Sequence, residues 1–190
     1  MNLKQLAIVS LAFFFAVSLI NADEINYVVS TKASGSLGGV QFTDQLVTIS
    51  AVGDTDNVQT NGDVNFLLTD IFVTVAIDGL GSAVFVDAIQ AVSNNNSELA
   101  GFGNTSNSTG LIFVNDPVFE TYDLRSEIGP ITATAFINAA THVTDAGNLF
   151  LFGETVIGSY EASITAVPEP SSTFALAMLM TAVGCRRRKP

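Results

Sequence analysis

His142 is the one imidazole of the chain and Cys185 its one thiol. A general base or a nucleophile would have to come from these two, or from carboxylates and hydroxyls. A Ser-His-Asp triad needs the imidazole beside an activated serine and a buried carboxylate. No Gly-x-Ser-x-Gly elbow occurs to present such a serine. Zinc needs several His or Cys ligands, and the body of the chain offers one. There is no Walker loop and no Gly-x-Gly-x-x-Gly between a strand and a helix. His142, set between Ala139-Ala140-Thr141 and Val143, is therefore expected to be a structural or surface histidine.

Carboxylates are the plentiful functional groups. A glycosidase pair needs two of them ~5 to 10 Å apart across a cleft. Glu120, Asp123, Glu127, Glu154 and Glu161 are the candidates, but an acidic chain offers many such pairs. The absence of Trp counts against a sugar-stacking cleft, although Tyr27, Tyr122 and Tyr160 offer substitutes. Among cofactors, calcium alone has candidate ligands. Asp54-Thr55-Asp56-Asn57 and Asn61-Gly62-Asp63 read as one loop with closely spaced oxygens, the donors a hard cation takes. Val58 stands where an EF-hand would place its third oxygen ligand, and Asp, Asn and Gly are also ordinary turn formers. The expectation is a solvated hairpin with no cofactor, with calcium as the alternative.

The C-terminal segment carries a different chemistry, that of being recognised and cut. Pro168-Glu169-Pro170 fixes two φ angles and holds Glu169 in an extended, accessible conformation. An uncharged apolar run from Thr173 to Cys185 follows, then Arg186-Arg187-Arg188-Lys189. The run is short of the ~20 residues a stable transmembrane helix needs. Its basic flank would sit on the cytoplasmic side. Such a segment acts as a temporary anchor that stalls export until it is removed. The order Pro168-Glu169-Pro170, apolar helix, Arg186-Arg187-Arg188 resembles the PEP-CTERM sorting signal of exported Gram-negative bacterial proteins. The resemblance implies recognition by an exosortase, a membrane-embedded cysteine protease or transpeptidase. It also implies an association with exopolysaccharide and biofilm. Ala33–Gly39 and Tyr122–Ile131 resemble the β-rich bodies found with that tail, and bring no activity with them.

The other end reads as a secretory signal. Lys4 gives a positive start, Leu6 to Ile20 is almost wholly apolar, and Ala22 suits the position before a cut. The expected organisation is a signal peptide at 1–22, a folded domain at 23–166 and the sorting signal at 167–190. Lys32 and Arg125 are the basic residues left in the domain, against seventeen of the eighteen acids, a net charge of −15. Such a surface repels phosphate backbones, which excludes nucleic-acid binding. With its one cysteine in the tail, the domain has no disulfide and must rely on its core.

Period-two patterns dominate that domain. Leu46–Val52 places Val47, Ile49 and Ala51 on one face, and Ile71–Asp78 places Val73, Val75 and Ile77 on one face. Further strands are expected over Asn26–Ser34, Val40–Thr43, Ser82–Val92, Leu111–Val114, Ile131–Ile137, Leu149–Phe152 and Ser159–Ala166. Gly35–Gly39 and Asp78–Gly81 read as tight reversals. Asn94–Ser108 reads as a long polar loop. Its triplets headed by Asn95, Asn104 and Asn107 match the glycan-acceptor pattern, as a loop rich in Asn, Ser and Thr does by composition alone. No segment shows a helical stripe and no fixed repeat appears. The predicted fold is all-β: an antiparallel β-sandwich or jelly roll of about eight to ten strands. An N-terminal signal helix and a short C-terminal apolar helix would flank it.

The expected function is that of an exported, non-enzymatic cell-surface or matrix protein. Its expected partners are a sorting enzyme, extracellular polysaccharide and, before processing, the membrane. The alternatives are an extracellular carboxylate-dependent glycoside hydrolase and a lectin-like adhesin.

Overall fold

The computed structural model describes residues 24–67, 72–104 and 109–165. The signal segment 1–22, the sorting motif Pro168-Glu169-Pro170 and the basic run Arg186-Arg187-Arg188 lie outside the described residues, as do both expected flanking helices.

The described chain is all-β. Its strands are β1 (Glu24–Leu37), β2 (Val40–Asp54), β3 (Val58–Asn61), β4 (Val64–Leu67), β5 (Thr74–Ile77), β6 (Gly81–Val84) and β7 (Ile89–Asn94). They continue with β8 (Leu99–Asn104), β9 (Thr109–Asn115), β10 (Ile128–Ile137), β11 (Thr141–Thr144), β12 (Gly147–Leu151) and β13 (Glu154–Thr165). All pairings are antiparallel, in the order β3-β4-β7-β8-β9-β10-β13-β1-β2-β5-β6, with β12 branching from β1 and β11 from β12. The sheet curls as a half-barrel. Among the described residues there are thirteen strands where eight to ten were expected, because several connections are themselves paired.

The centre of the sheet is β1. Alternate residues Ile25, Tyr27, Val29, Thr31, Ala33, Gly35 and Leu37 are all buried, the pattern a strand makes when one face lies on a core. Its pairing with β2 runs nearly the whole length, from Glu24–Asp54 to Leu37–Val40, closed by a turn at Gly38-Gly39. On its other edge β1 changes partner. Glu24 to Thr31 pair with β13, whereas Gly35 to Leu37 pair with β12. Phe152, which leads from β12 toward β13, donates its N–H to Ser34 O at 2.9 Å, at the point of exchange. A register shift between Ala33 and Gly35 makes the bend.

The exchange closes a small ring. After β6 the chain reaches β11 through the Phe85–Thr144 bridge, with Val86 N–H donating to Val143 O and Asp145 N–H to Val84 O. Strands β1, β2, β5, β6, β11 and β12 thus form a closed hydrogen-bonded circuit. The remaining strands extend from β13 to the edge at β3. One apolar cluster serves both parts, from Phe85, Leu149 and Leu151 in the ring to Phe102, Phe119 and Tyr160 beyond it.

Two expected elements take a different form. Ser82–Val92 does not run as one strand: the chain leaves β6 at Val84, crosses to β11 and re-enters the sheet at Ile89. The expected loop Asn94–Ser108 contains β8, with Ala100, Gly101, Phe102 and Gly103 buried. Its glycines are there for close approach rather than for a turn. A Cβ at Gly101 would lie 2.1 Å from Ile112 O on the neighbouring strand.

Gly35 is under the same constraint at the partner exchange. A Cβ there would lie 2.1 Å from Phe150 O, a backbone atom that moves only if β12 moves. The Gly35→Ala variant is therefore expected to lose at least ~2 kcal/mol of unfolding free energy, the scale of overpacking in a tight interior. Equilibrium urea denaturation of parent and variant measures it.

Candidate functional site

The sequence candidates disperse. His142 lies on β11, is 2% exposed, and points into the ring core against Phe85, with ring centroids 6.1 Å apart. Its Nδ1 is 3.7 Å from Asp87 Oδ2, and that oxygen already accepts the Val143 N–H at 2.8 Å. Nε2 has no hydrogen-bond partner among the described residues. Burial lowers the basicity of the imidazole, and the Asp87 carboxylate only partly opposes this. A general base needs its acceptor nitrogen on a nucleophile. His142 instead braces the seam where β11 meets the segment after β6.

Of the five candidate carboxylates, Glu120 alone lines either of the two described hollows. Glu154 and Glu161 occupy different ends of β13, and both are exposed. Asp123 accepts the Arg125 N–H, and Glu127 accepts the Ile164 N–H. Glu120 lies on a short 3-10 turn, Pro117–Thr121, and lines a surface hollow with Asp63, Asn95, Asn96 and Glu98. The suggested calcium loop is not one loop. Strand β3 separates Asp54-Thr55-Asp56-Asn57 from Asn61-Gly62-Asp63, and Asp54 Oδ1 is engaged by the Asp56 N–H at 2.8 Å. Among the described residues no group of three or more His, Cys, Asp or Glu is placed to hold a metal ion.

The tyrosines are interior. Tyr122 and Tyr160 pack with Phe119, Tyr27 lies buried in the same core, and the Tyr122–Tyr160 and Phe119–Tyr160 rings meet edge to face at 5.8 and 5.3 Å. Tyr27 Oη donates to Leu124 O at 2.5 Å. Desolvation raises the pKa of all three phenols well above the usual value, so they stay neutral donors. They anchor the Pro117–Leu124 segment over the core and are not available for stacking on a sugar.

Asn95 completes that anchor. Its Nδ2 donates to Phe119 O at 2.7 Å and Tyr122 O at 2.9 Å, while its Oδ1 accepts from Asn65 Nδ2 at 2.9 Å. Tyr122 O also accepts Ser93 Oγ at 2.6 Å. The nitrogen that a glycan would modify is thus committed to the fold. Of the other two triplet heads, Asn104 ends β8 and Asn107 lies outside the described residues.

The feature the sequence reading missed lies on the other face of the sheet. Strands β3, β4, β7, β8, β9 and β10 contain no charged residue at all. On the face away from the core they hold a groove of about 530 Å³, lined by Asn61, Val64, Phe66, Val92, Asn94 and Phe113 with Gly103 and Gly110. Strand register puts Phe66, Val92, Gly101, Phe113 and Phe136 in one row across five strands. The Phe113 ring occupies the space that side chains at Gly103 and Gly110 would fill. The sequence signal is the alternation of Ala100 and Phe102 with Gly101 and Gly103, a pattern that the composition of a turn also produces.

Comparison of the chain with protein families, with curated proteins and with solved structures gives no match in any of the three. Among the described residues no helix is long and apolar enough to cross a membrane.

Two outcomes follow from this geometry. His142 is harder to protonate in the folded than in the unfolded chain, so its contribution is complete above the unfolded value near ~6.5. It is lost as pH falls from there toward the lower folded value, at up to ~1.4 kcal/mol per pH unit. Denaturation at pH 7.5 and at pH 5.5 should show this dependence in the parent and a flatter one in His142→Leu. Asn95→Ala, which strips donors from two carbonyls and a partner from buried Asn65, should cost ~1–3 kcal/mol in the same assay at neutral pH.

Proposed function

We propose that the chain is an exported, non-enzymatic cell-surface or extracellular-matrix protein, sorted through its Pro168-Glu169-Pro170 segment. The observation that carries this reading is the ordered tail: proline-flanked Glu169, apolar run, then Arg186, Arg187 and Arg188. The apolar segment at 6–20 supplies the first export step, and the tail holds the domain outside until an exosortase-type enzyme in the inner membrane acts. The domain then resides at the surface of a Gram-negative cell or in its surrounding polysaccharide.

The body supports the non-enzymatic part. The curled sheet wraps one core much as the two sheets of a sandwich do, and that core takes in the sole histidine and the three tyrosines. No carboxylate lines the large groove. A hydrolase would need a pair facing each other there, whereas the acids Asp63, Glu98 and Glu120 gather in a separate, smaller hollow whose lining has no aromatic face for a sugar ring. Binding chemistry fits the available surface better than bond cleavage does.

Intact mass of the protein recovered from its native host is the decisive measurement. The parent should lack about 22 residues at its start and should be cut near Pro168. Glu169→Ala, and deletion of Arg186–Lys189, should each leave the tail in place while the domain melts at the parent temperature. Recovery of both variants trimmed like the parent overturns the sorting reading.

A further inference from the structure

The geometry points to the charge-free groove as a binding site for an uncharged polysaccharide chain. A pyranose ring has an apolar C–H face and a rim of hydroxyls. Its site must give it an apolar, preferably aromatic, surface and polar groups that both donate and accept. The groove supplies the two together. Phe66, Val92 and Phe113 form its apolar part, and the amides of Asn61 and Asn94 stand on its margin, Asn94 with its Oδ1 already accepting the Ser97 N–H at 3.1 Å and its NH2 as the donor. Together the two amides offer donors and an acceptor, which is what a sugar hydroxyl requires.

Shape and charge narrow the ligand further. The groove's volume of about 530 Å³ falls in the range of small-molecule sites. It is half open to solvent rather than enclosed, and the aromatic row continues from Phe113 to Phe136, which is 39% exposed. A site open at the side with an aromatic beyond it suits a chain passing through rather than a single ring. The absence of charge across six strands is selective in a domain that is otherwise strongly acidic. Asp63 and Glu98 stand in the turns after β3 and after β7, at the Asn61 and Asn94 end of the groove. They would repel uronate or phosphate groups. A lipid surface would need a continuous apolar face without the amide margin, and an anionic bilayer would meet the same repulsion.

The proposal rests on the non-enzymatic reading above, and its test separates the two. The full-length chain is run in native gels cast with dextran, laminarin, xylan or galactomannan, with alginate as the anionic comparison. Retardation by at least one neutral polymer and none by alginate is expected. It should persist at high salt, because no ion pairs contribute. Phe113→Ala and Phe66→Ala should each weaken it about tenfold, a difference of ~1.4 kcal/mol. Phe66 is half-buried on the short strand β4, so its variant keeps the test open if Phe113→Ala does not fold. No retardation by any neutral polymer, retention by alginate alone, or retention unchanged in both variants overturns the groove assignment. Self-association of the parent in sedimentation that is lost in Phe113→Ala, without retardation, overturns it in favour of a second copy. Release of reducing ends from a retained polymer sinks the non-enzymatic reading and leaves the groove standing.

Discussion

Strand β1 has to satisfy its backbone on both edges while serving two different neighbours on one of them. Its pairing with β2 is continuous, but the opposite edge passes from β13 to β12 within four residues, from Thr31 to Gly35. Buried backbone groups must be paired, so neither neighbour can withdraw without leaving N–H and C=O groups unmet. Everything else is built from this exchange. The branch toward β12 closes the small ring through β11 and Phe85, and the branch toward β13 carries the wide part of the sheet. Gly35 makes the exchange possible because the Phe150 carbonyl occupies the place where any larger residue would put its Cβ.

A second constraint ties the long connection between β9 and β10 to the sheet. That segment, Asp116–Glu127, crosses the open end of the core. Its ordering depends on Tyr122 O, which accepts from Ser93, Asn95 and, at 3.3 Å, Asn65. The carbonyl is buried and would cost ~1–3 kcal/mol if left unmet. The donors come from β4, β7 and the turn after β7, so closing this end also fixes the register of the outermost strands. Arg125 contributes at the very edge, donating to Val58 O at 2.7 Å. A cation placed on the outermost strand also discourages pairing with another chain.

Much of the fold was legible in the sequence, for a physical reason. Alternation at Val47-Ile49-Ala51 and Val73-Val75-Ile77 reports one buried face, and both sets are buried. The all-β class follows from such segments. Strands buried on both faces hide from that rule, and β8 is the example: its residues 100–103 are all buried, so no alternation survives. Its glycines looked like turn formers because sequence cannot distinguish a glycine that bends the chain from one that admits a neighbour. The ring closure is equally invisible, since it rests on a short seam around the Phe85–Thr144 bridge, between residues 59 positions apart. The site was less legible still. Titratable side chains are the usual sequence signal of chemistry, and the fold places His142 and the tyrosines in the interior.

Charge distribution is what connects the fold to a role. A domain with a net charge of −15 is kept apart from its copies and from acidic polymers by repulsion, which favours solubility. The same repulsion would oppose close contact with any acidic neighbour if charge covered the domain evenly. It does not: the acids lie on β1, β2 and β13 and in the connections, and six contiguous strands on one side of β13 carry none. Hydrophobic packing alone does not require this, since the outward positions of those strands are free to be charged. Phe66 and Phe113, half-buried, and Phe136, exposed, occupy them instead. An uncharged aromatic face on an acidic body allows association through dispersion and hydrogen bonds while leaving the electrostatic barrier to other contacts intact.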